Sequence, residues 1–351
     1  MNQTPIPCRL EPRQVARIWG RRWLQPIYAA SGELPEPVGE VWLSGEECRF
    51  ADGPFAGQTL GEAWRVMPEP WKGARLTGES SFPILAKFLF PDSTLSIQVH
   101  PGDAYAKKHE AAKGGRGKTE MWYAVAARPG AEVLVGLKGG MDEASLRRAL
   151  AEGTLEAHLL RTSIGEGDTI FVPAGTVHTI GPGVVLCEIQ ESSDLTYRLF
   201  DYNRTDASGK PRELHVEKAL DVIDLGQSVA GKTRPATRRR GPVEVAYLAA
   251  CAHFATERWR LAEPAELPTP KDHFDLLIFL DGTGAMVADE HRREYRRGEA
   301  WFVPADAARF RLEPAADTTL LRAYVPDLGA LARGLAGEGM TREEMAGFLF
   351  K

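Results

Sequence analysis

The chain has little cysteine, no long apolar run and no excess of positive charge, and each shortage removes a class of function. Its four cysteines, Cys8, Cys48, Cys187 and Cys251, include no C-x-x-C pair, which argues against a cysteine zinc knuckle or a dithiol redox centre. Reduced, structural thiols are expected. No stretch approaches the ~18 consecutive apolar residues of a membrane span, and the opening MNQTPIPCRLEPRQ lacks the basic-then-apolar order of a secretory signal. A cytoplasmic protein with no membrane partner is the expectation. With 43 Lys and Arg against 48 Asp and Glu, the net charge is −5, so the electropositive field that nucleic-acid binding needs is missing. Turn formers, by contrast, are plentiful: Gly 35 and Pro 24 make up about a sixth of the 351 residues, against ~12% in average usage. A helical bundle is thereby excluded, and a length of this order suggests about two domains.

The first ~60 residues are broken by prolines and read as a wrapping segment. Thr59 and Glu62 form a T-x-x-E capping box and predict a helix start there; Thr341 and Glu344 predict another. Further helices are expected after Asp103 and over Asp142–Glu152, where Gly153 is placed to end the second. Between them lie short β-rich runs: TLSIQVHP (94–101), EMWYAVAARPGAEVLVG (120–136), GDTIFVPAGTVHTIGPGVVLCEIQES (167–192) and LTYRLFDY (195–202). Strands at this spacing indicate a sandwich or barrel. Residues 227–242 are polar, basic and aperiodic, and are read as a linker between a domain at 1–226 and one at 243–351, with Arg238, Arg239 and Arg240 in a solvated loop. GDTIFVPAGTVH (167–178) aligns without gaps on GEAWFVPADAAR (298–309), so two copies of one β-unit are implied. His178 in the first copy faces Arg309 in the second, so the second unit cannot hold a metal in the same way.

In LSIQVH alternate side chains share a face, which puts Ser96, Gln98 and His100 together, ending in the imidazole beside Pro101. Glu120 opens an apolar strand, where an unpaired carboxylate is costly to bury; it is exposed at the strand end or bound to a cation. His178 follows a Pro-Ala-Gly turn. Taken together, two imidazoles, a carboxylate and an amide at strand ends make a mixed N/O donor set suited to a divalent transition metal with an open position.

FPILAKFLF, LSIQVHP, GKTEMWY, FVPAGTVHTIG and LTYRLFDYNR, in this order and spacing, resemble the type I mannose-6-phosphate isomerases, in their short bacterial form. The resemblance runs from Ile18-Trp19-Gly20 through Gly39-Glu40 to about Arg204, and more loosely through the second β-unit. It implies a mainly β fold of two cupin, jelly-roll-like barrels with a few short helices. It also implies one divalent metal per chain, usually zinc, held by Gln98, His100, Glu120 and His178. Arg198 and Lys118 match the catalytic arginine and a pocket lysine of the family, and Lys87 and Ser96 match phosphate-side contacts. The longer members carry a histidine directly before the pocket lysine, where this chain has Gly117.

The implied reaction is the interconversion of mannose 6-phosphate and fructose 6-phosphate through an enediol, in carbohydrate metabolism. A phosphorylated hexose is the expected partner, with monomer or dimer left open. The metal would act as a Lewis acid, Arg198 would meet the enediolate or phosphate with a fixed, permanently charged fork, and Lys87 and Lys118 would balance the phosphate. Lys118 or a water on the metal is the candidate base. Two other readings remain at this point: an Fe(II) cupin oxygenase, and a non-catalytic bicupin that binds sugar or metal. The six remaining histidines, His109, His158, His215, His253, His273 and His291, show no ligand spacing and read as structural or surface groups.

Overall fold

The structure, a computed structural model, describes residues 5–29, 32–205, 209–226, 231–267, 269–307 and 309–350. Four open antiparallel sheets are stacked as layers. The outermost, five-stranded sheet has the spatial order Tyr197–Phe200, Ile97–Val99, His178–Ile180, Glu132–Leu137, Leu159–Ser163. It faces a six-stranded sheet ordered Thr169–Val172, Glu120–Ala127, Val184–Glu191, Ile84–Leu89, Val38–Trp42, Arg13–Arg21. Behind this lies an eight-stranded sheet: Ala236–Arg240, Val243–Ala250, Ala255–Leu261, Thr318–Tyr324, Asp275–Asp281, Ala300–Val303, Cys8–Glu11, Arg49–Phe50. A four-stranded sheet, Ala265–Leu267, Phe310–Pro314, Thr283–Ala288, His291–Arg296, covers its far side. The two expected barrels are therefore two sandwiches of the jelly-roll class whose sheets do not close.

The layering follows from alternation. In Val184–Glu191 all eight residues are buried because successive side chains enter different cores. Val185, Cys187 and Ile189 pack between the six- and eight-stranded sheets, whereas Val184 and Leu186 join Trp122 and Ile180 inside the first sandwich. Asp275–Asp281 repeats the scheme, with Leu276, Ile278 and Leu280 in the shared core and Leu277 and Phe279 in the second sandwich. These two strands are buried on both sides, each apolar side chain in them contributing roughly 1.5–3 kcal/mol. The four cysteines are free and buried.

The capping boxes at Thr59 and Thr341 start helices Leu60–Val66 and Arg342–Met345, each with both reciprocal bonds. Helices Asp103–His109 and Glu143–Ala151 also form, the latter capped by Asp142. The internal repeat is visible in the backbone: Gly167 and Gly298, its first residues, both have φ of 86°, a region that favours glycine, and each precedes an equivalent strand, Thr169–Val172 or Ala300–Val303.

Two expectations change. Residues 227–230 lie outside the described residues, but Ala236–Arg240, read as loop, is a strand paired with Val243–Tyr247. It sits at the sheet edge, where charged side chains are an ordinary protection; Arg238 pairs with Glu344 and Arg240 with Glu338. The wrapping segment is also more than a wrapper, because Cys8–Glu11 pairs with Ala300–Val303 and extends the sheet of the second sandwich. Among the described residues no helix is long and apolar enough to cross a membrane.

Candidate metal centre and substrate cavity

Register brings the polar residues together. His178 is the direct cross-strand partner of Gln98, and Gln98 is that of Arg198 on its other side. Glu120, on the facing sheet, is paired with Gln190 and Val172, and its side chain enters the same interior as Trp122 and Glu188. His178 Nε2 lies 3.4 Å from Glu120 Oε1, and His100 Nε2 lies 3.5 Å from Glu120 Oε2. The ligating atoms of His100, Glu120 and His178 all fall within 4.8 Å of one another, and all three residues are buried.

The two rings are set for coordination. His100 Nδ1 is 2.8 Å from the Leu195 carbonyl and His178 Nδ1 is 2.9 Å from that of Thr176, so each Nδ1–H donates and each Nε2 keeps its lone pair. Burial pushes His178 down to about 4, and burial, with Lys118 next in order, pushes His100 well below the usual imidazole range. Both rings are neutral at pH 7. Gln98 Nε2 stands 3.2 Å from His178 Nε2, and Gln98 Oε1 accepts from Ser96 Oγ at 3.2 Å; half a turn of the amide exchanges the two atoms. Glu120 Oε2 is buried with Lys118 Nζ 3.0 Å away. A buried carboxylate and two inward ring nitrogens make a donor set that fits a divalent cation.

Around this centre lies a cavity of about 470 Å³, within the usual range for small-molecule sites. Gln98, Lys118, Lys87 and Ser96 line it, with Arg198 also on its wall, whereas the three clustered ligands lie beneath that lining. Lys118 Nζ is 3.0 Å from Glu120 Oε2 and 3.1 Å from His100 Nε2. Lys87, expected to balance the phosphate, is buried in an ion pair with Glu188 at 3.0 Å and lies 3.8 Å from Glu40. Burial alone would lower its pKa, but the two carboxylates, Glu188 before Glu40, outweigh that and keep it an ammonium. Arg198 differs. Its Nη1 donates to the Glu213 carbonyl at 2.8 Å, its Nε is buried without a partner, and among the described residues it forms no ion pair. Asp201, a possible partner, is occupied by Arg204 and Arg212, and Asp194 by Arg17.

Sequence reading missed three groups at the cavity: Glu188, Glu40 and His215. Trp122 Nε1 donates to both Glu120 and Glu188 at 3.0 Å, and burial, followed by the Glu120 charge, pushes the Glu188 carboxyl up. Glu40 receives a two-pronged bond from Arg17 at 3.0 and 3.1 Å. Burial alone would raise its carboxyl; Lys87 and Arg17 more than reverse this and hold it at about 2. A carboxyl depressed on folding stabilises the fold above its unfolded pKa and loses that contribution as pH falls through the folded value. The stability advantage of wild type over Glu40→Gln should therefore be complete above about 4.5 and shrink as pH falls toward about 2, as urea unfolding at a series of pH values would measure.

Gly117 explains its own identity. A Cβ there would lie 2.6 Å from Asp103 N and 2.8 Å from the Gly102 carbonyl carbon, so the histidine found at this place in longer relatives has no room. Gly117→Ala is expected to cost about 1–3 kcal/mol through overpacking, read from the shift in urea midpoint.

The second sandwich has the same frame with the signs changed. Asp275 is paired with Val303 as Glu120 is with Val172. Glu257 is paired with Arg322 as Lys87 is with Glu188. Here the cation is internal: Arg322 Nη2 is 2.9 Å from Asp275 and Nη1 is 3.2 Å from Glu257, both carboxylates being buried and the arginine partly so. Arg309, the counterpart of His178, is exposed and 3.8 Å from Glu266.

Comparison with known proteins agrees with this layout. A family model described as the mannose-6-phosphate isomerase cupin domain matches residues 244–325. Mannose-6-phosphate isomerase ManA of Bacillus subtilis (strain 168) is 34% identical over 319 residues, covering 90% of this chain and 98% of that protein. The chain belongs to the mannose-6-phosphate isomerases. Another relative, the mannose-6-phosphate isomerase of Streptococcus mutans, is 31% identical over 303 residues, 85% of this chain and 92% of that one. The crystal structure of the Bacillus subtilis mannose 6-phosphate isomerase superposes with a TM-score of 0.82 at 29% identity, covering 91% and 99% of the two chains. The matched family model lies wholly in the second sandwich, while the candidate metal-ligand cluster of this mannose-6-phosphate isomerase family member is in the first.

Proposed function

We propose that this chain interconverts mannose 6-phosphate and fructose 6-phosphate, using one divalent metal held by Gln98, His100, Glu120 and His178. The observation that carries the reading is the convergence of two neutral imidazoles and a buried carboxylate under a cavity that also holds Lys118 and Arg198. Nitrogen and oxygen donors in this number suit Zn2+. When bound, such an ion supplies Lewis acidity toward the sugar oxygens.

The chain's own groups do the rest. Arg198, without a carboxylate of its own, is available to an anionic oxygen of the enediolate or of the phosphate. Lys118 Nζ, next to Glu120 Oε2, is placed to exchange a proton at the cavity floor. Ser96 Oγ fixes the Gln98 amide, and Lys87, neutralised by Glu188, contributes more to the position of the site's carboxylates than to net charge. Binding the phosphate lets remote contacts hold C1 and C2 in place for proton transfer. In domain terms, residues 1–226 carry the catalytic sandwich, 227–242 the connection, and 243–351 a second cupin domain without a metal; a cytoplasmic location fits a phosphorylated substrate.

The test is a coupled assay of fructose 6-phosphate turnover without oxygen. Turnover that chelator abolishes and Zn2+ restores supports the reading. Oxygen-dependent turnover, or sugar-phosphate binding with no isomerisation, rejects it.

A further inference from the structure

A second group of potential ligands lies where the two sandwiches meet. Asp103 opens a short helix just after His100-Pro101-Gly102. Glu191 ends the strand Val184–Glu191. His253 sits on the turn between strands Val243–Ala250 and Ala255–Leu261. One ligand atom from each falls within 4.8 Å of the others, and His253 Nδ1 is 3.1 Å from Glu191 Oε2. Each carboxylate is held by a backbone amide on one oxygen: Gly117 N donates to Asp103 Oδ1 and Thr119 N to Glu191 Oε1, both at 2.8 Å. The second oxygen of Glu191 faces the imidazole, an arrangement by which outer bonds orient metal ligands.

Charge at this place is not balanced by a lysine or arginine. Among the described residues no such side chain forms an ion pair with Asp103 or Glu191. The neighbouring Arg116 is engaged with Ser81 at 2.6 Å and Glu79 at 3.4 Å. Glu191 is 94% buried, and His253 turns Nδ1 toward its Oε2.

We infer that Asp103, Glu191 and His253 form a second divalent-cation site, of the mixed carboxylate and imidazole kind that accepts Zn2+, Mn2+ or Co2+. The ion ties the second sandwich, through His253, to the segment 103–119 that leads into Lys118 and Glu120. Two ligands and both supporting amides come from the first sandwich, and the third ligand comes from the second. One metal per chain, the expectation from sequence, counts only the centre under the cavity.

This site stands apart from the catalytic reading, and metal counting separates the two. Full-length protein stripped with chelator is dialysed against buffered free Zn2+, and bound zinc is counted per chain for wild type, His253→Ala, His253→Asn and His178→Ala. Two ions in wild type and one in either His253 variant are expected, with His178→Ala losing the other. If both His253 variants, folded by circular dichroism, bind as many ions as wild type, the inference is overturned. An ion lost in the His253 variants but kept in His178→Ala supports the second site and counts against the first.

Discussion

Glu120→Gln is expected to lower kcat by about 10³-fold and to abolish tight metal binding, although the side chain keeps its shape. Glu120 is the sole anionic member of the proposed ligand set, and its Oε2 is buried. A neutral amide there leaves the cation without charge compensation and turns one donor position into N–H. It also removes the partner of Lys118, 3.0 Å away. A thousandfold is about 4 kcal/mol of barrier, the scale expected when metal-supplied charge stabilisation is lost. Turnover and metal content, measured on the same sample, check it. Full metal with reduced kcat would instead assign Glu120 to orienting Lys118.

The second large effect lies far from the cavity. Arg322→Ala is expected to destabilise the protein by about 3–5 kcal/mol, since it leaves two buried carboxylates without their cation. Asp275 is 2% exposed and Glu257 is 2% exposed. Asp275 stays depressed only because Arg322, ahead of His273, outweighs its burial. Adding Asp275→Asn should recover part of the loss, because one of the stranded charges is then gone. Urea unfolding of the single and double variants measures both. A loss below about 1 kcal/mol, the range of exposed pairs, would show that Arg322 does not compensate the two buried carboxylates.

The grouping of Gln98, His100 and His178 was legible because strand alternation is strict. In LSIQVH it puts Gln98 and His100 on one face, and the Pro-Ala-Gly turn delivers His178 opposite Gln98. Glu188 and Glu40 were not legible. VVLCEIQE is buried on both faces, so Glu188 does not stand out until the shared core claims Val185, Cys187 and Ile189. Lys87 was expected to balance the phosphate because its partner lies on a neighbouring strand about 100 residues away. Ala236–Arg240 was read as loop because an edge strand under charged side chains shows no apolar alternation. His253 has no ligand spacing in sequence, and only the packing of the two sandwiches brings it to Glu191.

The central claim is proton transfer between C1 and C2 of a phosphorylated hexose at the His100–Glu120–His178 centre. Its most direct measurement is conversion of fructose 6-phosphate by Zn2+-loaded protein in deuterated water, with the product examined by NMR. Mannose 6-phosphate carrying deuterium at C2 is predicted. Bound sugar phosphate that neither isomerises nor exchanges its C1 hydrogens would contradict the account.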